Sequence, residues 1–341
     1  LGVIEYCLLV GHKFLFQGAY ADALPPGMQA LRFSEEHYGN NSMQLVEPYL
    51  ILAEAKIGLQ MLKEAETYLA QAQWTTIKAK CQVSLGILSK LNRKLAQLFE
   101  AKCDYNSALE CLAQDIYYSS CEHGPSHIET AGGYFSMARV YYKIHNQKDP
   151  APPKQLPPVV TPSNYCDRVR QVERNCSLNE VVSGVHAADS PVIIADDLYA
   201  RVIAIWAEFM VDLLLKRQSE REAVPDMVKQ TMRPTEVNLS ALCNLADQAQ
   251  CAELGKVLCE VQLHYRHRIV NDKLSSVAPN AGRPDAVTML SFAFGFFHLL
   301  QGDEDKSRTH MKEAILRKEQ AEKHVLLDKY EELLSRQFLT H

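Results

Sequence analysis

Apolar and small residues recur along this chain in a pattern that belongs to paired helices. Val10-Gly11, Phe14, Gly18, Tyr20, Ala23 and Ala30 mark one stretch. Leu52-Ala53, Leu62, Ala65 and Ala72 mark a second, and Leu95-Ala96, Phe99, Tyr105 and Ala108 a third. In each, a large apolar residue beside a small one sits on a first helix. A short turn follows, and small residues then stand where a second helix must press closely on its neighbours. The steps from Ala23 to Ala65 to Ala108 are 42 and 43 residues. No single pair can bury its apolar face, so neighbours are expected to stack into a superhelix with a concave surface.

This is the tetratricopeptide pattern with a period longer than the usual ~34 residues. It predicts an all-α solenoid of about six helix pairs, with close packing at Gly11, Ala23, Ala53, Ala65, Ala96, Ala108, Ala138 and Ala195. Repeat one is expected from about Gly2 to Tyr38, repeat two from about Leu45 to Lys78, where Trp74 closes the second helix, and repeat three from about Leu88 to Ser120. A fourth pair opens with Thr130, Gly132-Gly133-Tyr134-Phe135, Met137-Ala138 and Tyr141, but its second helix does not follow at once. Six prolines crowd the thirteen residues from Pro150 to Pro162, a density that forbids a continuous helix and favours extended polyproline segments. The partner helix resumes near Ala195 and Val202, so an insertion of 45 residues splits the pair. The insertion reads as a disordered loop or as a partner-contacting arm. A fifth pair (Leu239-Ser240, Cys243, Ala252, Cys259) and a sixth (Phe294-Gly295, His298, Gly302-Asp303, Ser307, Ala314) follow. A charged helix from about Leu316 to Phe338 is expected to cap the last repeat. The chain thus divides into 1–145 (repeats 1–3 and the first helix of repeat 4), the Pro-rich 146–191, and 192–341.

Composition narrows the function classes. Among 341 residues, 47% are apolar and 23% charged, and Lys+Arg 36 against Asp+Glu 41 gives a net charge of −5. No basic block stands out, which disfavours nucleic acid as a partner. The most apolar window, Met289 to Leu300, is too short to span a bilayer and predicts a buried helix. The first residues lack the layout of a secretory signal, and the chain begins at Leu1 rather than Met, so residues upstream of it are expected. Ten cysteines occur without any Cys-x-x-Cys; the expectation is reduced thiols serving as small hydrophobes.

Catalytic chemistry finds no foothold. The chain lacks G-x-S-x-G, G-x-x-x-x-G-K-[ST] and G-x-G-x-x-G. Paired carboxylates such as Asp196-Asp197 and Glu331-Glu332 are adjacent on helices and point about 100° apart, as solvated charges do. Cys121, His123 and His127 suggest a metal site only weakly, because Gly124-Pro125 denies them a common helical face. No metal, cofactor or catalytic residue is expected. A clamp for a terminal carboxylate, as in Hsp90-binding tetratricopeptide domains, would use positions Leu8, His12, Ile51, Lys90 and Lys94. Only the last two are cationic there, which disfavours that role.

Several runs carry a family resemblance. They are Leu15-Phe16-Gln17-Gly18 through Asp22-Ala23, Gln29-Ala30-Leu31-Arg32-Phe33, Leu52-Ala53-Glu54-Ala55 with Gly58-Leu59, and Ala65-Glu66 through Gln71-Ala72-Gln73-Trp74. The densest block is Asp115-Ile116-Tyr117, Ser120-Cys121, Gly124, Ile128, Thr130 and Gly132-Gly133-Tyr134-Phe135. Together they resemble the tetratricopeptide region of the MYND-type zinc-finger-containing protein twelve family, over about Phe14 to Tyr142 and again over Ala195 to Trp206. Vertebrate members carry an upstream MYND finger; no such Cys/His array occurs here, so zinc is not carried over. The resemblance implies a non-catalytic subunit of the motile cilium or flagellum axoneme, made in the cytoplasm and associated with inner dynein arms on doublet microtubules. Its implied partners are another tetratricopeptide subunit and an inner-arm dynein heavy chain, with no membrane involved. A partner helix or extended segment would lie in the groove of the first repeats, facing His12, Lys56 and Arg93. Two other readings remain. One is a soluble cargo adaptor resembling kinesin light chain, whose repeats share the 42-residue period. The other is a cytoplasmic assembly factor for dynein arms.

Overall fold

The computed structural model describes residues 2–78, 83–146, 191–222, 255–265 and 284–318. All regular structure among them is helical, in two compact units, Leu1–Leu198 and Tyr199–His341. That division falls inside a helix rather than at the Pro-rich segment. Residues 147–190 of the 146–191 insertion, the start of the fifth pair at Leu239 to Ala252, and the capping helix beyond Lys318 lie outside the described residues.

In the first unit the order is α1 (Gly2–Gln17), α2 (Tyr20–Tyr38), a 3-10 turn (Met43–Leu45), α3 (Val46–Gly58), α4 (Leu62–Lys78), α5 (Leu85–Ala101), α6 (Tyr105–His123) and α7 (Ile128–Asn146). Helices α1/α2, α3/α4 and α5/α6 pack as pairs, and each pair packs on the next first helix. The first unit is thus a solenoid of stacked helix pairs, as the periodicity predicts, although α5 and α6 each run three residues beyond the expected limits of repeat three.

Among the described residues, the core of the first unit shows three clusters that follow one rule. Leu15 and Ala23 of the first pair close around Ile51 and Ala55 of α3. Val46, Leu50, Ala53, Ala65, Leu69 and Ala72 of the second pair close around Leu91, Leu95 and Leu98 of α5. Ala96, Ala108 and Leu112 of the third close around Val140 of α7. The buried members of each cluster come from both helices of one pair and from the first helix of the next, which is nearest-neighbour stacking. Small residues let the backbones approach. A Cβ on Gly27 would stand 3.0 Å from Leu52 Cδ2, and one on Gly11 3.2 Å from Ile51 Cγ2. Tyr20 lies so squarely over Gly58 that a Cβ there would be 2.4 Å from its ring.

The turn within each pair is the same structure four times. Gly18, Gln60, Cys103 and Gly302 all have φ between 60° and 79°. Their N–H groups donate to the carbonyls of Leu15, Ile57, Glu100 and Leu299, three residues back. The next N–H, of Ala19, Met61, Asp104 or Asp303, donates to a carbonyl five residues back at 2.9 Å. This double bond closes the helix C-terminus as a Schellman motif and leaves the next residue as the N-cap of the second helix. At that position Asp104 and Asp303 accept N–H bonds from Ser107 and Lys306 through their carboxylates, whereas Ala19 and Met61 have no side chain to do so. Helix α2 runs unbroken through Pro25 and Pro26, although each removes a helical donor.

Helix α8 (Pro191–Glu222) contains the boundary, and its second-unit part buries Ile203, Trp206, Ala207 and Met210. The helical stretch 255–265 meets α8 where the Tyr199 and His264 rings stand 4.6 Å apart. It meets α9 (Pro284–Gln301) where a Cβ on Gly255 would lie 2.8 Å from Phe297 Cζ. The apolar window Met289 to Leu300 falls within α9 and is mostly buried, with Phe292 and Phe296 at 0% exposure. Helix α10 (Glu304–Lys318) returns against α9, and Ser307 donates to the Gly295 carbonyl at 2.9 Å. Among the described residues no helix is long and apolar enough to cross a membrane.

Gln60 and Cys103 hold backbone conformations that cost a residue with a Cβ about 1 kcal/mol. Gln60→Gly is therefore expected to raise stability by about that amount, and Gly18→Ala to lower it similarly. Urea unfolding midpoints measure both; unchanged midpoints would mean that the turns are not strained.

Candidate partner-binding surface

The first helices α1, α3 and α5 lie side by side, so side chains recurring at a repeat step line up across them. Glu5, Glu47 and Lys90 share one such position, 42 and then 43 residues apart. His12 Nε2 donates to Glu47 Oε1 at 3.0 Å, and Lys90 Nζ reaches both Glu47 oxygens at 3.5 Å. Glu47 thereby joins three successive first helices. The hydrogen bond from His12, which outweighs burial, holds its carboxyl below the ordinary range, and Lys90 adds to the effect. One turn along, Lys94 Nζ meets Glu54 Oε2 at 2.6 Å. The two clamp lysines thus both pair with carboxylates of α3.

The row continues towards α7. Glu100 accepts from Arg139 at 3.2 and 2.9 Å and lies 2.7 Å from Lys143 Nζ. Burial alone would push the Glu100 carboxyl up, but Arg139 and Lys143 together outweigh it and hold it low.

Of the three residues expected in a groove, only His12 stays on this row. Lys56 turns back onto its own pair, 2.8 Å from Glu64 of α4, with 13% of its side chain exposed. Arg93 is drawn into the interface between repeats three and four. Its Nε donates to Asp115 Oδ2 at 2.7 Å, and its Nη2 to Asp115 Oδ1 at 3.2 Å and to the Glu129 carbonyl at 2.9 Å. Asp115 is fully buried and also accepts from the Ser89 hydroxyl. The structure does not bring His12, Lys56 and Arg93 together.

Asp115 stands seven residues after Ala108, where the first, second and sixth repeats have Ala30, Ala72 and Ala314. Those alanines are fully buried. The third repeat puts a carboxylate in this tight position, and Gly132 and Gly133 make the room. A Cβ on Gly133 would lie 2.7 Å from Ile116 Cγ1 and 3.1 Å from Asp115 Oδ2, and one on Gly132 3.0 Å from Arg93 Nη1. Residues of the densest resemblance block therefore build a joint between repeats. Periodicity could have exposed Asp115 as the odd member of its column.

The packing positions Gly11, Ala23, Ala53, Ala65, Ala96, Ala108, Ala138 and Ala195 are all buried. Trp74 instead lies on the open side of α4, 55% exposed, with Lys78 Nζ 5.0 Å from its ring centroid. Cys7, Cys103, Cys111 and Cys259 are free thiols, and burial pushes that of Cys111 up to about 12. The His123 and His127 rings stack at 4.8 Å, and no group of three metal-ligating side chains occurs among the described residues.

A cavity of about 310 Å³ opens between the start of α5, the end of α6 and the start of α7. Lys90, Arg93 and His123 line it together with Glu122 and Glu129. Its hydroxyls are engaged, Ser89 with Asp115 and Ser119 with Thr130. The arrangement offers mixed charge at the edge of the first-helix row.

No family model matches the chain. Among solved structures, the crystal structure of BtubC (BKLC) from P. vanneervenii is similar to it at 13% identity, over 92% of this chain and 91% of that one, with a TM-score of 0.30. A likeness at that score bears on neither fold nor function.

Asp115→Ala is expected to destabilise by about 3 kcal/mol, although alanine is the residue of the equivalent repeats, because Arg93 is left without its carboxylate. Adding Arg93→Leu should restore most of the loss; a double variant as unstable as the single one would show that the pair is not the cause. Acid should act through Glu47 and Glu100. Both carboxyls lie below their ordinary 4.5 when folded, so their stabilisation is complete above that pH and is lost as pH falls through the folded values. Thermal midpoints between pH 7 and 3 should drop below about pH 4.5, and Glu100→Gln should flatten that drop.

Proposed function

We propose that this chain is a non-catalytic protein-binding scaffold of the motile cilium or flagellum axoneme that helps attach inner dynein arms to doublet microtubules. The observation carrying the scaffold reading is the charged row across consecutive first helices, His12–Glu47–Lys90 and Glu54–Lys94. Partly exposed ion pairs of this kind contribute little to stability, typically under about 1 kcal/mol. They can therefore be exchanged for pairs with a partner at small cost. An extended or helical segment lying along the row would meet alternating charges on a stiff helical support, which favours specificity and orientation.

The axonemal assignment is supported by the resemblance, whose densest residues form the buried joint at Asp115, Gly132 and Gly133. In this reading the solenoid holds a segment of an inner-arm dynein heavy chain or of a second tetratricopeptide subunit. The protein is made in the cytoplasm and functions on the axoneme. Neither membrane nor nucleic acid enters the reading.

A tagged chain expressed in flagellated cells tests it. The protein should sediment with demembranated axonemes, leave them in high salt, and co-precipitate an inner-arm heavy chain. Recovery in cytosol with cargo vesicles and without dynein would overturn the proposal in favour of the adaptor alternative. Recovery only with unassembled dynein in the cytoplasm would turn it into an assembly factor.

A further inference from the structure

Two histidines stand at interior positions of the pair formed by α9 and α10. His298 precedes the turn residue Gly302 by four positions, as Phe14, Lys56 and Phe99 precede Gly18, Gln60 and Cys103. His310 follows Gly302 by eight, as Tyr68 and Cys111 follow Gln60 and Cys103. Phe14, Phe99, Tyr68 and Cys111 pack against the apolar clusters of the first unit. The α9/α10 pair thus sets imidazoles where most of its counterparts set aromatic rings or a thiol.

The two imidazoles meet across the pair. His310 of α10 lies nearly parallel to His298 of α9, with centroids 5.3 Å apart and planes 11° apart. It stacks equally closely, at 5.3 Å, on Phe294 one turn earlier in α9. Phe294 and His298 are themselves stacked at 6.4 Å, so three rings form one contact between the helices. His298 Nδ1 is buried and, among the described residues, has no hydrogen-bond partner. A neutral imidazole can leave one nitrogen as a bare acceptor, whereas an imidazolium carries a proton on both. Charging His298 therefore strands a buried N–H beside a second imidazole, which costs more than the neutral ring does.

Burial pushes the His298 imidazole below its ordinary 6.5, and the facing His310 and Lys306 add to this. Asp303 and Gln301 favour the charged ring without overcoming them. His310 differs, because Glu313 lies 3.8 Å from its Nδ1 and can accept its charge. The stabilisation given by neutral His298 is complete above pH 6.5 and is lost as pH falls from there through the folded value. That window lies above the range in which Glu47 and Glu100 act, so the two acid effects are separable.

We propose that the Phe294–His310–His298 stack is a pH-sensitive latch: with His298 neutral it holds α10 on α9, and proton uptake by His298 loosens α10. Loosening uncovers Phe294, which is 6% exposed in the closed pair, so acid turns a sealed face into an apolar one. The latch does not depend on the axonemal reading, and either can fail without the other.

Hydrogen–deuterium exchange of the whole chain, corrected for the intrinsic rate at each pH, tests the latch between pH 7.5 and 5. Peptides from α9 and α10 should lose protection below pH 6.5 while those from α3 and α5 keep theirs. His298→Phe, which installs the residue of repeats one and three, should abolish the loss. His310→Phe keeps a ring in the stack and removes the facing charge, so the loss should begin at lower pH. Ser307→Ala removes the hydrogen bond to the Gly295 carbonyl and should lower protection by the same factor at every pH, as a purely structural change does. Unchanged protection of α9 and α10 in the unsubstituted chain would overturn the proposal whatever the variants do. So would a parallel loss in α3 and α5, or an acid response that survives His298→Phe.

Discussion

The first unit depends on the seating of each first helix in the cleft of the pair before it. Ile51 between Gly11 and Gly27 is the clearest case: a Cβ on either glycine would stand 3.2 to 3.3 Å from Ile51 Cγ2, closer than side chains ordinarily pack. The same close approach recurs at Tyr20 over Gly58. Ala23, Ala65 and Ala108, one repeat step apart, are all fully buried. Because each seat involves only neighbouring pairs, the fold extends along one direction and its stability is a sum of local interfaces.

Charges are distributed according to that plan. Where the helices press together the interfaces are apolar, and the first-helix row bears partly exposed ion pairs that join successive repeats without ordering the core. The joint between repeats three and four is the exception. There a buried carboxylate replaces alanine and is held by Arg93, Ser89 and two facing glycines. A buried pair of this kind is weak as a source of stability yet costly to break. It therefore fixes the register of α5 on α6, since sliding there strands a charge, and the Arg93 bond to the Glu129 carbonyl ties that pair to α7. The point where the chain next departs into its Pro-rich insertion follows this reinforced joint.

Much of this was legible in the residues. The 42- and 43-residue steps located the pairs, and the small residues named the seats, because close helix packing restricts residue size more strongly than any other property. The turns were legible as breaks but not in their conformation. Gly18 and Gly302 suit a left-handed residue, whereas Gln60 and Cys103 do not advertise one, and the repeat geometry imposes it on them. The groove residues were read less well. Lys56 and Arg93 looked like surface cations of first helices, but a long side chain can swing towards either neighbour, and Glu64 and Asp115 drew them away.

Periodicity therefore determined, by itself, that the chain makes paired helices, where they turn, and which positions must be small. It did so because those constraints act within one repeat and reappear in the next. Tertiary structure decided which charges meet. Asp115 becomes a buried anchor and Glu47 links three helices, because each outcome depends on atoms that are 22 to 43 residues away in sequence and adjacent only after stacking.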